Sequence, residues 1–310
     1  FAPGNRWGTF PSFSLGWRID QEEFYKDWNQ NVLSAVKLRG GWGQIGNQNI
    51  PSFAYADVVS TYDTWVYGFN SGLNLLKAYA STSKGNKDIV YDGIFQSKEE
   101  VLAHVGADGK TLLQPLAEPG DARFRNLNGD NTLDSNDRDY IGNPNPDVIY
   151  GGNIELGYKG IDFALYFQGV AGNDIWVGTK ALLRQTSITN LLAETYTDAW
   201  RNPGDKTDVF GITRKDDNDN YRNSSWYVQN GSFCKIKTVQ IGYTFPKKIV
   251  EATKVFSSLR LYVSGENLFT FTKFKYMDPE VPNGNALNMG IENLGYPNPR
   301  TFTVGVNVQF

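Results

Sequence analysis

Of the 310 residues, one is cysteine, Cys234, and one is histidine, His104. A single cysteine excludes an internal disulfide framework, and a single histidine removes most zinc sites and most His-based catalytic triads. The plain expectation for these two is a small packed side chain and a solvated loop residue. An excess of charge of one sign is also lacking, since 30 Lys and Arg stand against 33 Asp and Glu, a formal charge of -3. That balance provides no basic field, so nucleic acid is excluded as a partner. No run approaches the ~20 consecutive apolar residues that a membrane helix needs, and mean hydropathy is -0.44. Low mean hydropathy does not exclude a membrane barrel, in which only every second strand residue faces lipid. No signal peptide is visible. Residue 1 opens inside what reads as a loop entering a strand, FAPGNRWGTF, so the natural N-terminus is expected upstream.

What the chain does have is alternation. Phe302, Val304, Val306, Val308 and Phe310 alternate with Thr303, Gly305, Asn307 and Gln309, the period of a strand with one oily and one polar face. The same pattern sets Leu259, Leu261 and Val263 against Arg260, Tyr262 and Ser264, and Val239, Ile241, Tyr243 and Phe245 against Thr238, Gln240, Gly242 and Thr244. Ile161, Phe163, Leu165 and Phe167 oppose Asp162, Ala164, Tyr166 and Gln168, while Ile154, Leu156 and Tyr158 oppose Asn153, Glu155 and Gly157. Lys159-Gly160 between those two segments reads as a tight hairpin turn. Near the start, Phe13, Leu15, Trp17 and Ile19 oppose Ser12, Ser14 and Arg18, and Val36, Leu38 and Trp42 oppose Lys37, Arg39 and Gly41. These make about seven amphipathic strands of roughly ten residues, the length of a tilted membrane strand.

The connections alternate in length. They are short at 20–32, 159–160 and 246–257, and long at 44–147, 173–231 and 272–300. Short periplasmic turns and long external loops are the habit of membrane barrels, and counting back from Phe310 at the periplasmic side puts all three short turns there. Gly40-Gly41 and Gly151-Gly152 fall in strands, where they read as bends of a barrel wall and not as phosphate loops. Asp20 with Glu23, and Ser97 with Glu100, suggest capping boxes of short helices, and 190–200 suggests a third helix.

Seven segments resemble, in order, the motifs of the SusC-like (RagA/SusC) branch of TonB-dependent outer-membrane transporters. They are FPSFSLGWRI, VKLRGGWGQIGN, YDGIFQSKEEV, GDARFRNLNGDNTLDSNDRDYIGNPNP, GSFCKIKTVQIGYTFPK, LYVSGENLFTFTKFKYMDPEV and YPNPRTFTVGVNVQF. The resemblance implies an all-β antiparallel transmembrane barrel, with this chain as its C-terminal part, in the outer membrane of a Gram-negative bacterium. It implies energised import of an oligomeric nutrient, a glycan or a peptide. The implied partners are a SusD-like surface lipoprotein, TonB-ExbB-ExbD and outer-membrane lipid. The N-terminal plug and TonB box of that family are absent from residues 1–310. About seven strands cannot close a bacterial barrel, which uses an even number, about 22 in large plugged transporters. The chain is therefore expected to be a fragment or incomplete, with residues missing near 73–91, where the family carries more strands.

Several candidate sites follow. The polar parities place Arg18, Lys37, Arg39, Glu155, Tyr166, Gln168, Arg260 and Glu266 toward the lumen. Asn126, Asn128, Asp130, Thr132, Asp134 and Asp137 fall at positions 1, 3, 5, 7, 9 and 12 of an EF-hand-like loop, with Asn131 where glycine usually stands. Such a loop holds a structural calcium ion or is an Asx-rich turn closed by its own hydrogen bonds. No cofactor is otherwise required. Among loop aromatics, Tyr62, Trp65, Tyr67, Trp176, Trp226 and Tyr227 either stack on a ligand or pack the loops. Phe310 ends its strand as an assembly signal or as one more interfacial aromatic. No acidic pair stands out at glycosidase spacing, so no catalytic residue is expected. Two other classes stay open on the residues alone, a secreted carbohydrate-binding β-sandwich and a carbohydrate-active enzyme.

Overall fold

The computed structural model describes residues 11–28, 35–43, 87–183, 190–213, 215–252, 254–280, 290–292 and 294–310. In chain order the strands are β1 (Ser12–Arg18), β2 (Ala35–Gly43), β3 (Lys87–Ile89), β4 (Tyr91–Ile94), β5 (Ala122–Phe124), β6 (Arg138–Tyr140) and β7 (Val148–Tyr158). There follow β8 (Ile161–Ala171), β9 (Asp174–Val177), β10 (Val228–Asn230), β11 (Phe233–Thr244), β12 (Ser258–Thr272), β13 (Ile291–Glu292) and β14 (Thr301–Gln309). The seven segments with period-two alternation form one antiparallel sheet in the order β1-β2-β7-β8-β11-β12-β14. Each long strand pairs with the next long strand of the chain, so the sheet is a meander, and it is not closed. The alternation of short and long connections places the three short ones at one end of the sheet and the three long ones at the other.

Register explains why one face is oily throughout. Directly paired residues point to the same side, and the pairs match oil with oil. Trp17 faces Leu38, Leu38 faces Ile154, Ile154 faces Leu165, Leu165 faces Val239, and Ile241 faces Val263, which faces Val304. A slip by one residue in any pair would turn a strand's apolar set to the polar side. Along the oily face, Trp17, Tyr158, Tyr243 and Phe245 lie toward the short connections. Phe13, Trp42, Tyr150, Phe269, Phe271 and Phe302 lie toward the long ones, and Leu, Ile and Val dominate between. Aromatic residues thus stand on either side of an aliphatic band. Much of the face is exposed, with Leu15 at 67% and Val304 at 80% on the edge strands and Ile241 at 49% between them, whereas Val36 is buried. An apolar surface this extensive marks a face that meets protein or lipid, and among the described residues no second sheet covers it, as a sandwich would require.

Parity breaks once in β11, where the oily series 239, 241 and 243 gives way to Ile236. A bulge at Lys237 resolves the break, because Thr238 pairs with Tyr166 while Ile236 already pairs with Phe167. The extra residue allows Lys237 and Thr238 both to serve the polar side. At Gly169 the Tyr150 ring crosses the strand so that its hydroxyl donates to the Phe233 carbonyl at 3.2 Å. A Cβ at Gly169 would overlap that ring. In the β7–β8 turn, Lys159 and Gly160 both have positive φ, 44° and 89°, as a two-residue hairpin of the type I′ class requires.

The buried core lies in the long connections and not under the sheet. Ile89, Ile94, Ala122, Phe124, Trp176, Phe210, Tyr221, Trp226, Tyr227 and Ile291 form one cluster. Three small sheets, β10-β9-β13, β3-β6 and β4-β5, frame it. Ser97 caps the helix Lys98–Ala103 by accepting from the Glu100 amide at 3.3 Å, as expected. Asp20 caps nothing. A 3₁₀ turn covers Ile19–Gln21 before the helix Glu23–Trp28, and the Asp20 carboxylate is taken by Arg18 at 2.7 Å and by Gln21. The helix expected over 190–200 is only Glu194–Thr197.

Candidate functional site

All eight polar-face residues singled out above share one face of the sheet. Arg18 pairs with Lys37 and Lys37 with Glu155, Arg39 pairs with Asn153, Asn153 with Tyr166, and Tyr166 with Thr238, which pairs with Glu266. Their charges are mostly matched locally. Lys37 Nζ reaches Glu155 at 3.1 Å, Arg260 Nε donates to Asp162 at 2.9 Å, and Arg18 is bound to Asp20. Glu266 is exposed. A face with balanced, partly exposed polar groups can pass a polar solute without holding it by net charge.

The strongest electrostatic feature of this face was not legible as a site in the sequence. Lys235 on β11, opposite Gln168, donates to both oxygens of Asp278 at 2.8 and 2.7 Å and to Glu280 at 2.9 Å. Lys237, brought in by the bulge, donates to both oxygens of Glu280 at 2.8 Å. Gln168 and Asn298 each donate to Glu280 at 2.9 Å. Burial pushes the Asp278 and Glu280 carboxyls up. The lysine hydrogen bonds and charges outweigh it and hold both below the ordinary carboxylate range. The cluster pins the start of the β12–β14 connection against the polar face. Its sequence signals were Lys235 at polar parity and the acidic MDPE segment, too far apart for spacing alone to join them.

The loop aromatics are packed. Trp226 stacks on Phe210 with ring centroids 4.6 Å apart, Trp176 stacks on Tyr227 at 5.2 Å, and Trp226 meets Tyr227 edge-on at 4.9 Å. Their polar ends are occupied, with Trp176 Nε1 on Asn223, Trp226 Nε1 on the Asp208 carbonyl and the Tyr227 hydroxyl on the Tyr221 carbonyl. Trp176, Trp226 and Tyr227 therefore take the packing alternative of the two open for them. Buried aromatics gain more from mutual packing than from an exposed face. Tyr62, Trp65 and Tyr67, like the 73–91 link through residue 86, lie outside the described residues. Lys180 lies over the Trp226 ring, Nζ 3.9 Å from its centroid, and burial pushes its pKa down. His104 is half-buried beside Phe95 and not solvated, so burial lowers its pKa.

The 126–137 segment is closed by its own hydrogen bonds. Asp137 is fully buried, and its carboxylate accepts from the amides of Leu127 at 2.8 Å, Asn128 at 3.2 Å and Asp134 at 2.9 Å. Asp130 accepts from Thr132 and from the Asn128 side chain, and Asn126 Oδ1 accepts from Gly129. Gly129, at φ 72°, makes the left-handed turn expected of Asn131. Among the described residues, no group of three or more His, Cys, Asp or Glu is placed to hold a metal ion. Oxygens of Asp130, Asp134 and Asp137 thus accept from amides of the segment itself, as in an Asx-rich turn. Phe310 is 84% exposed at the short-turn end and touches Phe256, ring centroids 5.5 Å apart.

No family model matches the chain. TonB-dependent receptor P3 of Formosa agariphila is 34% identical over 209 residues, 66% of the chain and 20% of that protein. TonB-dependent receptor SusC of Bacteroides thetaiotaomicron is 24% identical over an alignment of 423 residues that takes in 100% of the chain and 41% of SusC. The RagAB peptide importer in its open-open state superposes with a TM-score of 0.59 at 15% identity, over 96% of the chain and 28% of the matched chain. The chain is SusC/RagA-like, matching a portion of the larger TonB-dependent receptors. This SusC/RagA-like segment spans about a fifth of the Formosa relative and 41% of SusC. Its seven-stranded open sheet aligns with part of the receptor fold. These relatives are transporters, a family of non-enzymes.

Proposed function

We propose that this chain forms wall and external loops of a TonB-dependent barrel that imports an oligomeric nutrient across the outer membrane. The observation that carries this reading is the largely exposed apolar face that runs through seven strands, backed by a polar face of matched charges. Seven strands are then part of a larger barrel, of about 22 strands as in large plugged transporters. The short connections lie on the periplasmic side and the packed loop body lies outside. A SusD-like surface lipoprotein covers the external mouth, TonB-ExbB-ExbD drives the cycle through a plug supplied by the rest of the receptor, and the solute passes along the polar face. RagAB is described as a peptide importer. For this chain a glycan and a peptide both fit a polar face without net charge.

Uptake by whole cells provides the test. Cells carrying the complete receptor should accumulate a labelled oligopeptide or oligosaccharide only with an intact TonB system. Loss of the TonB requirement, or recovery of the receptor in the buffer-soluble fraction, would overturn the reading. The sandwich alternative predicts that solubility.

A further inference from the structure

Two adjacent short connections carry lysines just beyond the aromatic girdle. The Thr244 amide donates to the Gly160 carbonyl at 2.7 Å, which sets the Lys159-Gly160 turn against the start of the 245–257 connection. The Ser257 amide donates to the Gln309 carbonyl at 2.7 Å and Phe256 meets Phe310, which brings the end of β14 to the same place. Lys159, Lys247, Lys248 and Lys254 are all exposed here, and Glu251 is the one acidic residue of 245–257. The neighbouring Asp162 is neutralised by Arg260. In the next connection, between β1 and β2, Asp20 is held by Arg18, while Glu22, Glu23 and Asp27 stand against Lys26, so the basic surface is confined to the 159–160 and 245–257 connections. Apolar side chains stand among the lysines, with Ile249 59% exposed and Val255 58%. They follow Ile241, Tyr243 and Phe245 in the chain, while Lys159 Nζ lies 5.3 Å from the Tyr158 ring.

We infer that this foot is a binding surface for the headgroups of anionic glycerophospholipid, with Lys159, Lys247, Lys248 and Lys254 meeting phosphates and Ile249 and Val255 entering the acyl boundary. The inference rests on the reading of the sheet as membrane barrel. Interfacial aromatics fix the headgroup level, and basic side chains with apolar stems at that level are attracted to an anionic surface. The exposed apolar pair beside the lysines favours a lipid surface over an acidic protein segment, because phosphates and acyl chains together match both kinds of side chain.

The complete receptor, reconstituted in nanodiscs of phosphatidylethanolamine with or without phosphatidylglycerol, provides the test. Wild type and K247R/K248R/K254R should gain thermal stability from phosphatidylglycerol and retain it in native mass spectrometry. K247E/K248E/K254E should bind it at least about tenfold more weakly, and Ile249→Ser should show an intermediate loss. Heat-modifiable migration before lipid is added reports whether each variant is an inserted barrel. A receptor that does not insert overturns the barrel reading and this inference with it. Insertion with equal phosphatidylglycerol binding by the Glu variant overturns the inference alone. The inference also falls if phosphatidylethanolamine or inorganic phosphate reproduces the effect, or if the lysines capture an acidic protein without any lipid dependence.

Discussion

Lys235 on β11 holds both carboxylate oxygens of Asp278, at 2.8 and 2.7 Å, with its own side chain 1% exposed. A lysine this buried is stable only because two carboxylates surround it. Removing one partner of a buried pair leaves an uncompensated charge. Lys235→Met should therefore free the segment from Lys273 to Glu280, at a cost of about 3 kcal/mol in local opening free energy. Hydrogen exchange of the amides from Phe274 to Glu280 measures it, and unchanged protection would show that the clamp does not hold the loop.

The same cluster sets a pH dependence. Asp278 and Glu280 are held below their ordinary values of 3.8 and 4.5. A depressed carboxyl contributes stability that is present above its unfolded pKa and lost as pH falls through the folded one. The segment is expected to stay protected at neutral pH and to loosen once pH drops below about 4. Asp278→Asn should remove its share of that acid-dependent step, which exchange measured across an acid series will show.

Asp137 predicts a different loss. Its buried carboxylate is the acceptor for three backbone amides, and bonds of this kind to a charged group contribute about 1.5–3 kcal/mol each net of water, without adding fully. Asp137→Ala should destabilise the 126–137 loop by about 2–4 kcal/mol, equally with calcium and with chelator. Limited proteolysis of the receptor in both conditions provides the readout. Protection restored only by calcium would make the loop a cation site.

Neighbouring residues on β8 test the orientation of the wall. Leu165 belongs to the oily face and Tyr166 to the polar one. Leu165→Arg should cost about 2–4 kcal/mol near the bilayer midplane, seen as a lower urea midpoint of the folded receptor. Tyr166→Arg should cost clearly less. Equal costs would contradict a lipid-facing Leu165.

Close packing between strands makes the last test. Tyr262 lies across Gly305 of the neighbouring strand, and a Cβ there would overlap its ring. Gly305→Val should displace Tyr262 and lower the heat-modification temperature of the barrel, whereas Gly305→Val combined with Tyr262→Ala should recover part of it.

Period-two alternation determined the seven long strands, their oily faces and the alternation of short and long connections. Each of those is a local property: successive strand side chains point to opposite sides, so a residue's neighbours two places away already reveal its face. Lys237 marks where that locality ends, since a bulge added one residue and moved the parity. The sequence also marked Asn126 to Asp137 as an oxygen-rich loop, but the choice between a cation and backbone amides rested on which donors the fold brought to Asp137. Trp176, Trp226 and Tyr227 look alike as exposed stacking residues or as core, and only the packing of the long connections buried them. The Lys235 clamp needed tertiary structure most, because 43 residues separate Lys235 from Asp278. No spacing rule links charges that meet only after a strand has turned back and its loop has folded over the polar face.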